Sequence, residues 1–164
     1  MFREMRRNRQ LLPEEETVAI LEKGTSGVLA LLGDEGYPYA LPISYVYAGG
    51  KLYFHSALSG HKVDAVRGCD KASFCVIDRD EVVPEKYTTC YRSVIAFGKI
   101  RILEERSEIT AAIEALADKY SPGLEEGSRE EIGKEMGRFL MMELTVEHLT
   151  GKEAIELVRQ RKQN

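Results

Sequence analysis

The stretch from Gly27 to Ser56 constrains this chain most, because its apolar residues recur at the spacing of strands and are interrupted by turn-formers. Residues 28–32 are short and wholly apolar, and Gly33-Asp34-Glu35-Gly36 follows as a turn. Residues 38–47 alternate, with Leu41, Ile43, Tyr45 and Tyr47 on one face and Ala40, Pro42, Ser44 and Val46 on the other. Ala48-Gly49-Gly50 then turns the chain into residues 51–56. This is the pattern of a three-strand antiparallel meander.

Three further strands are expected at 72–78, at 90–103 with a bend or bulge at Gly98, and at 138–146. The charged, proline-containing stretch 79–86 reads as a loop long enough to be mobile or functional. A first helix begins at Pro13 with Glu14, Glu15 and Glu16 at its positive end, carries Val18 and Leu21 on its apolar side, and ends at Gly24. Residues 60–67 form a short helix capped by Ser59, with Val63 and Val66 inward. Helices are also expected over 108–120, 128–136 and 152–162.

Six strands that must hide their edges, with helices around them, predict a mainly β fold, a six-stranded antiparallel barrel rather than a doubly wound sheet. At 164 residues the chain suits a single domain, 1–164. Its parts are an arm and helix (1–25), barrel strands (26–104 and 138–150), a helical insert (107–136) and a C-terminal helix (152–163). No phosphate-loop or dinucleotide glycine motif follows any strand.

A net charge of −4 without an extended basic stripe argues against a nucleic-acid partner. Arg3, Arg6, Arg7 and Arg9 form one basic cluster, read as an arm docking on an acidic surface. Cys69, Cys75 and Cys90 make no C-x-x-C pair and look like core thiols of a reducing compartment. With no apolar leader or spanning run in view, a cytoplasmic protein without a membrane partner is expected.

The strongest concentration of polar groups beside apolar strands is residues 54–62, where His55, Ser56, Ser59, Gly60, His61 and Lys62 surround a helix start. Helix N–H groups, hydroxyls and a compact cation suit a phosphate dianion, although a capped surface helix would use the same residues. His55 and His61 have no third ligand at metal spacing, so no metal is expected. Arg92, inside an apolar run, requires an anion or an internal partner such as Glu143 or Asp78. Pro42 within a strand implies an edge or ladder gap whose free backbone groups could meet a flat heterocycle.

Taken in order, these pieces resemble the pyridoxamine 5′-phosphate oxidase-like, FMN-binding split barrels, and within them the nitroimidazole-resistance group. The resemblance runs through Glu4-Met5-Arg6-Arg7, Gly27-Val28-Leu29-Ala30-Leu31, Tyr37-Pro38-Tyr39-Ala40-Leu41-Pro42-Ile43-Ser44-Tyr45-Val46-Tyr47 and Leu52-Tyr53-Phe54-His55-Ser56-Ala57. It continues through Gly60-His61-Lys62, Ser73-Phe74-Cys75-Val76 and Tyr91-Arg92-Ser93-Val94, and more loosely through Leu149-Thr150-Gly151-Lys152.

The resemblance implies a homodimeric split barrel with FMN, rather than FAD, in clefts between subunits. Pro42, Ile43, Ser44 and Tyr45 would line the isoalloxazine ring, His55, Ser56 and Ala57 the ribityl chain, and Gly60, His61 and Lys62 the phosphate. Arg92 and Ser93 would approach from the neighbouring strand, and residues 139–142 would reach the partner subunit's flavin. The chain lacks the Arg-Leu-x-Pro-like tail of true pyridoxamine-phosphate oxidases, which argues against vitamin B6 oxidation. The implied activity is an FMN-dependent oxidoreductase that passes electrons from NAD(P)H to a small-molecule substrate such as a nitroaromatic. His61 is the candidate proton donor, with a phosphate-proximal or stacking role equally open. A flavin-binding sensor or carrier without turnover is the alternative, and a haem-binding split barrel is the weaker one.

Overall fold

The computed structural model describes residues 1–163, and of residues 125, 126, 128 and 129 the backbone alone; Asn164, the last residue of the expected domain, lies outside them. Seven strands form one antiparallel sheet: β1 (Ser26–Leu32), β2 (Pro38–Ser44), β3 (Val46–Ala48), β4 (Lys51–Ser56), β5 (Lys71–Val83), β6 (Thr88–Ile102) and β7 (Leu140–Glu153). Five helices accompany them: α1 (Glu14–Lys23), α2 (His61–Gly68), α3 (Arg106–Tyr120), α4 (Glu125–Glu135) and α5 (Ile155–Arg161).

The expected count of six becomes seven because the alternating strand 38–47 breaks at Tyr45. β2 pairs with β1 and β3 with β4, giving the order β2-β1-β5-β6-β7-β4-β3. The two borders of the sheet are therefore successive parts of one strand, and the sheet rolls closed as a split barrel.

Tyr45 makes the break. Its side chain is fully buried, its ring meets Phe74 edge-on at 4.8 Å between centroids, and its hydroxyl donates to the Leu21 carbonyl at 2.8 Å. That hydroxyl reaches α1 because residue 24 is glycine: a Cβ there would lie 2.5 Å from the Tyr45 oxygen. From the other side, the Tyr120 hydroxyl at the end of α3 accepts from the Tyr45 N–H and sits 3.0 Å from the Tyr45 carbonyl. Both backbone groups that would have continued the ladder are satisfied by a side chain instead.

Inside the barrel, Leu29, Leu31, Leu52, Phe54, Phe74, Val94, Ile100 and Leu144 form the core, closed by Leu21 of α1 and by Val63 and Val66 of α2. The strand alternation read from the sequence sets this inside, with Leu41 and Ile43 packed against it and Pro42 and Ser44 exposed. A second, smaller cluster joins Val46, Leu103 and Met141 to Ala112 and Leu116 of α3. The bend at Gly98 is present as a register shift against β7, where a Cβ would fall 1.9 Å from the Thr145 carbonyl oxygen.

The expected loop 79–86 is mostly strand. β5 and β6 stay paired out to Val83 and Thr88, turning through Pro84–Lys86 and a left-handed Tyr87. Residues 77–82 are exposed, so the charged side chains stay hydrated without breaking the pairing, and Arg79 pairs with Glu81 along the same strand, while Val83, Cys90 and Tyr91 pack against Ala154 and Leu157. β7 also runs past its expected end to Glu153.

Glu143 on β7 is buried and accepts from Lys51 at 3.0 Å and Arg101 at 3.1 Å, while Arg101 also pairs with Glu108 of α3 at 2.7 Å. Burial pushes the Glu143 carboxyl up, but the two hydrogen-bonded cations outweigh it and hold it below its usual value. A depressed carboxylate stabilises above its unfolded value, 4.5, and the contribution is lost as pH falls through the folded value. Glu143→Gln is expected to cost about 1–2 kcal/mol at pH 7, and in urea titrations that cost shrinks as the pH is taken down through the folded carboxyl's depressed value.

The outer face of β2, β1, β5, β6 and β7 carries two neighbouring rows in register: Pro42, Val28, Cys75, Ile95 and Thr150, then Ala40, Ala30, Ser73, Phe97 and His148. Neither row contains a carboxylate, lysine or arginine, and Val28, Ile95 and Phe97 are each 39% exposed.

Candidate functional site

Where β2 leaves β4, the barrel wall opens. Beyond Tyr45, β2 is laddered to β1 on one side only, so alternate backbone groups on its other edge have no strand partner. A cavity of about 530 Å³ lies there, bounded by Pro42, Ile43 and Ser44 of β2 and His55 of β4. Its far wall is Ile113, Leu116, Ala117 and Tyr120 of α3 with Ile132 of α4. The space is a slot with one peptide edge and one apolar side.

Lys62 stands beside this slot, close enough to His55 to influence its protonation. Burial pushes the His55 imidazole down and the Lys62 charge pushes it further, so His55 is neutral at pH 7. Lys62 is itself half-buried, is pushed down by burial, and has no carboxylate partner among the described residues. A desolvated, unpaired ammonium is costly unless an anion meets it.

The chain just before Lys62 has the shape such an anion needs. Gly60, not Ser59, caps α2 with φ +123°, and a Cβ at Gly60 would meet nothing within 4 Å. Val63 and Asp64 donate their N–H groups to the Gly60 carbonyl, at 2.8 and 3.1 Å. The N–H groups of His61 and Lys62 are left at the helix start without a partner among the described residues.

The other expected site residues separate into those near the slot and those elsewhere. Ser56 is buried and Ala57 exposed, one and two residues after His55. His61 turns away from the slot's lining to stack on Tyr39 at 4.0 Å, its Nε2 accepting the Asp34 N–H at 3.4 Å. Tyr45 offers neither ring nor peptide edge, for the core holds the first and Tyr120 the second. Met141 and Met142 are fully buried, whereas Phe139 lies 5.1 Å from the His55 ring.

Arg92 and Ser93 are not brought to this cluster within one chain. Ile102 of β6, in register with Met142 and through it with Phe54, lies ten residues from Arg92, about 30 Å of extended strand. Arg92 instead pairs with Glu153 at 3.1 Å and Asp78 at 3.9 Å, taking the internal-partner option left open by the sequence, with Asp78 and not Glu143. The fully buried Glu153 also has Arg161 2.5 Å from its second oxygen.

The α3 and α4 residues of the far wall escaped the sequence reading. Their helical spacing marks an apolar face, and periodicity alone does not distinguish a face against a core from one against a cavity. No three His, Cys, Asp or Glu side chains gather at metal-binding range among the described residues. No helix described is long and apolar enough to cross a membrane.

The fold and the slot define a split-barrel protein with a helix start that no side chain caps beside an apolar cleft. The family model described as pyridoxamine 5′-phosphate oxidase matches residues 13–153, and the chain belongs to that family. No protein with a curated description matches the sequence.

Among solved structures, the flavocytochrome of Azotobacter vinelandii is similar with a TM-score of 0.79 at 18% identity, over 92% of this chain and 72% of that one. The FAD and haem binding protein of Mycobacterium smegmatis gives 0.77 at 23%, over 89% and 73%. A candidate 5-nitroimidazole antibiotic resistance protein of Bacteroides thetaiotaomicron gives 0.73 at 18%, over 87% and 86%. At these identities the likeness is one of fold.

Proposed function

We propose that the chain is an FMN-dependent oxidoreductase that takes electrons from NAD(P)H and reduces a small acceptor of the nitroaromatic class. The observation that carries this reading is Lys62: a half-buried, unpaired cation at a helix start that no side chain caps, beside a slot with a free peptide edge. A phosphorylated flat heterocycle meets all of these groups at once. The residues fit FMN, with Lys62 and the N–H groups of residues 61 and 62 on the phosphate and Pro42, Ile43 and Ser44 along the ring. A flavin so held would supply two-electron transfer.

This chain's own residues then have distinct tasks. Lys62 neutralises the phosphate, and the edge of β2 fixes the ring's orientation through backbone hydrogen bonds. Ile113, Leu116 and Ala117 exclude water and admit an apolar acceptor. His55, neutral and lining the slot, is the imidazole placed to exchange a proton with bound ligand, a task the sequence had given to His61.

The uncharged outer face supports a homodimer, since a sheet surface of this extent without charge suits a second copy. Its rows begin at Pro42, on the border of the slot, so the partner would close the cleft and bring its own Arg92 and Ser93 into reach. Ile95→Arg is expected to convert the dimer to monomer in sedimentation velocity and to loosen the flavin with it. A monomeric parent protein would remove this part of the reading.

The first test is optical. The purified protein should be yellow with a two-banded flavin spectrum that bleaches under NADPH or NADH without oxygen. A flavin that no nicotinamide reduces would leave a sensor or carrier, and colourless protein that refuses added FMN would overturn the reading.

A further inference from the structure

The wall of the slot that faces the β2 edge has two unlike parts. Ile113, Leu116, Ala117 and Tyr120 come from α3, and Ile132 comes from α4. α3 is fixed to the barrel: Ala112 and Leu116 are buried with Val46, Leu103 and Met141, the Tyr120 hydroxyl accepts the Tyr45 N–H, and Lys119 donates to the Gly24 carbonyl. Its share of the wall has one shape.

α4 has no comparable anchor. Ile132 is its one aliphatic or aromatic side chain, and among the described residues no part of α4 belongs to any hydrophobic core cluster. The ion pairs of this segment are local, Lys134 with Glu130 at 2.7 Å and Arg138 with Glu135 at 3.0 Å, and among the described residues none ties it to the barrel. Glycine corners bracket the helix, Gly123 at φ +81° and Gly137 at φ +90°, and a Cβ at either would meet nothing within 4 Å. Most helices are held in place by packing an apolar face. In α4 that face is a single half-buried isoleucine, and it lines the slot.

We propose that α4 is a hinged cover on the slot and that Ile132 determines how large an apolar acceptor the slot admits, an inference that rests on reading the slot as the flavin and acceptor site. With a flat ring along β2, the acceptor lies between that ring and the helices. The α3 side chains set the fixed boundary there, and Ile132 sets the movable one. A single-ring nitroaromatic fits beneath Ile132, whereas a fused-ring one must displace it together with α4.

The test uses the full chain loaded with FMN, reduced with dithionite without oxygen, and mixed in stopped flow with nitrobenzene or with 2-nitrofluorene. The ratio of the two reoxidation rates cancels differences in flavin loading. Ile132→Ala raises the rate for 2-nitrofluorene relative to nitrobenzene about tenfold or more, and Ile132→Trp lowers it by a similar factor, the scale of resizing an apolar pocket. Ile132 lies outside the core clusters, so both variants keep the parent's melting midpoint. Hydrogen exchange on the oxidised, FMN-loaded protein gives a readout without turnover: amides of 127–135 exchange faster than those of 109–119, and 2-nitrofluorene slows the first set alone. Equal rate ratios in the parent and both variants overturn the proposal, as does an α4 as protected as α3 with and without 2-nitrofluorene. Protein that refuses FMN overturns the reading of the slot and this proposal with it, whereas protein that takes FMN and gives equal ratios loses this proposal alone.

Discussion

Tyr45→Ala is expected to lower the unfolding free energy by about 3–5 kcal/mol, the range for deleting a fully buried aromatic ring. The ring has no exposure and packs edge-on to Phe74, so its removal leaves a cavity inside the core of the barrel. The same change deletes the hydroxyl bond to Leu21 that ties α1 to the strand break. Tyr45→Phe isolates that last contribution, expected at about 1 kcal/mol. Urea denaturation of the two variants and the parent measures both, and a Tyr45→Ala loss below that of Tyr45→Phe would show that the break does not depend on the ring.

The hydroxyl also predicts alkaline behaviour. Burial, and after it the neighbouring Tyr120, hold the Tyr45 proton far above its ordinary value of 10.0. The unfolded chain ionises there and the folded one does not, so stability present below pH 10.0 is lost as pH rises beyond it. Tyr45→Phe should flatten that decline in the same titration.

The second large effect concerns Lys62→Ala, which should weaken FMN by about 1–3 kcal/mol, roughly five- to 150-fold. The side chain lies at the start of α2, near enough to His55 to act on its charge, and is not part of the barrel core, so the melting midpoint without flavin should hold. Fluorescence quenching during FMN titration reads the affinity directly. Unchanged affinity would remove Lys62 from the phosphate, and with it the observation on which the proposed function stands.

Much of the barrel was legible because strand alternation is a local property. Leu41 and Ile43 pack against the core on the face their alternation gave them, and Gly98 bends its strand where a side chain would strike a facing carbonyl. The break at Tyr45 was not legible. It depends on Tyr120, which lies 75 residues away and satisfies the backbone there. Residues 79–83 were misread as loop because charge density resembles a loop when pairing cannot be seen.

In the site, His55, Gly60 and Lys62 fall where a local reading of residues 54–62 put them, since a strand end and a helix start adjoin in sequence. His61 turns toward Tyr39 because the turn after β1 packs there, with Gly33 leaving room for the imidazole. The apolar wall from α3 needed tertiary placement to be seen at all.

The paired ribbon beyond the barrel has a consequence for how the protein behaves in concentrated solution. Residues 79–83 are laddered to 88–92 alone, and while Thr88 and Cys90 are covered by Glu156 and Leu157 of α5, the outer flank of 79–83 has no strand partner. Val82 and Tyr87 would make such flanks adhesive to a stray chain, but Arg79, Asp80, Glu81, Glu85 and Lys86 crowd the same few residues. An incoming strand would have to strip water from those charges, so they act as gatekeepers against stacking of one molecule upon the next.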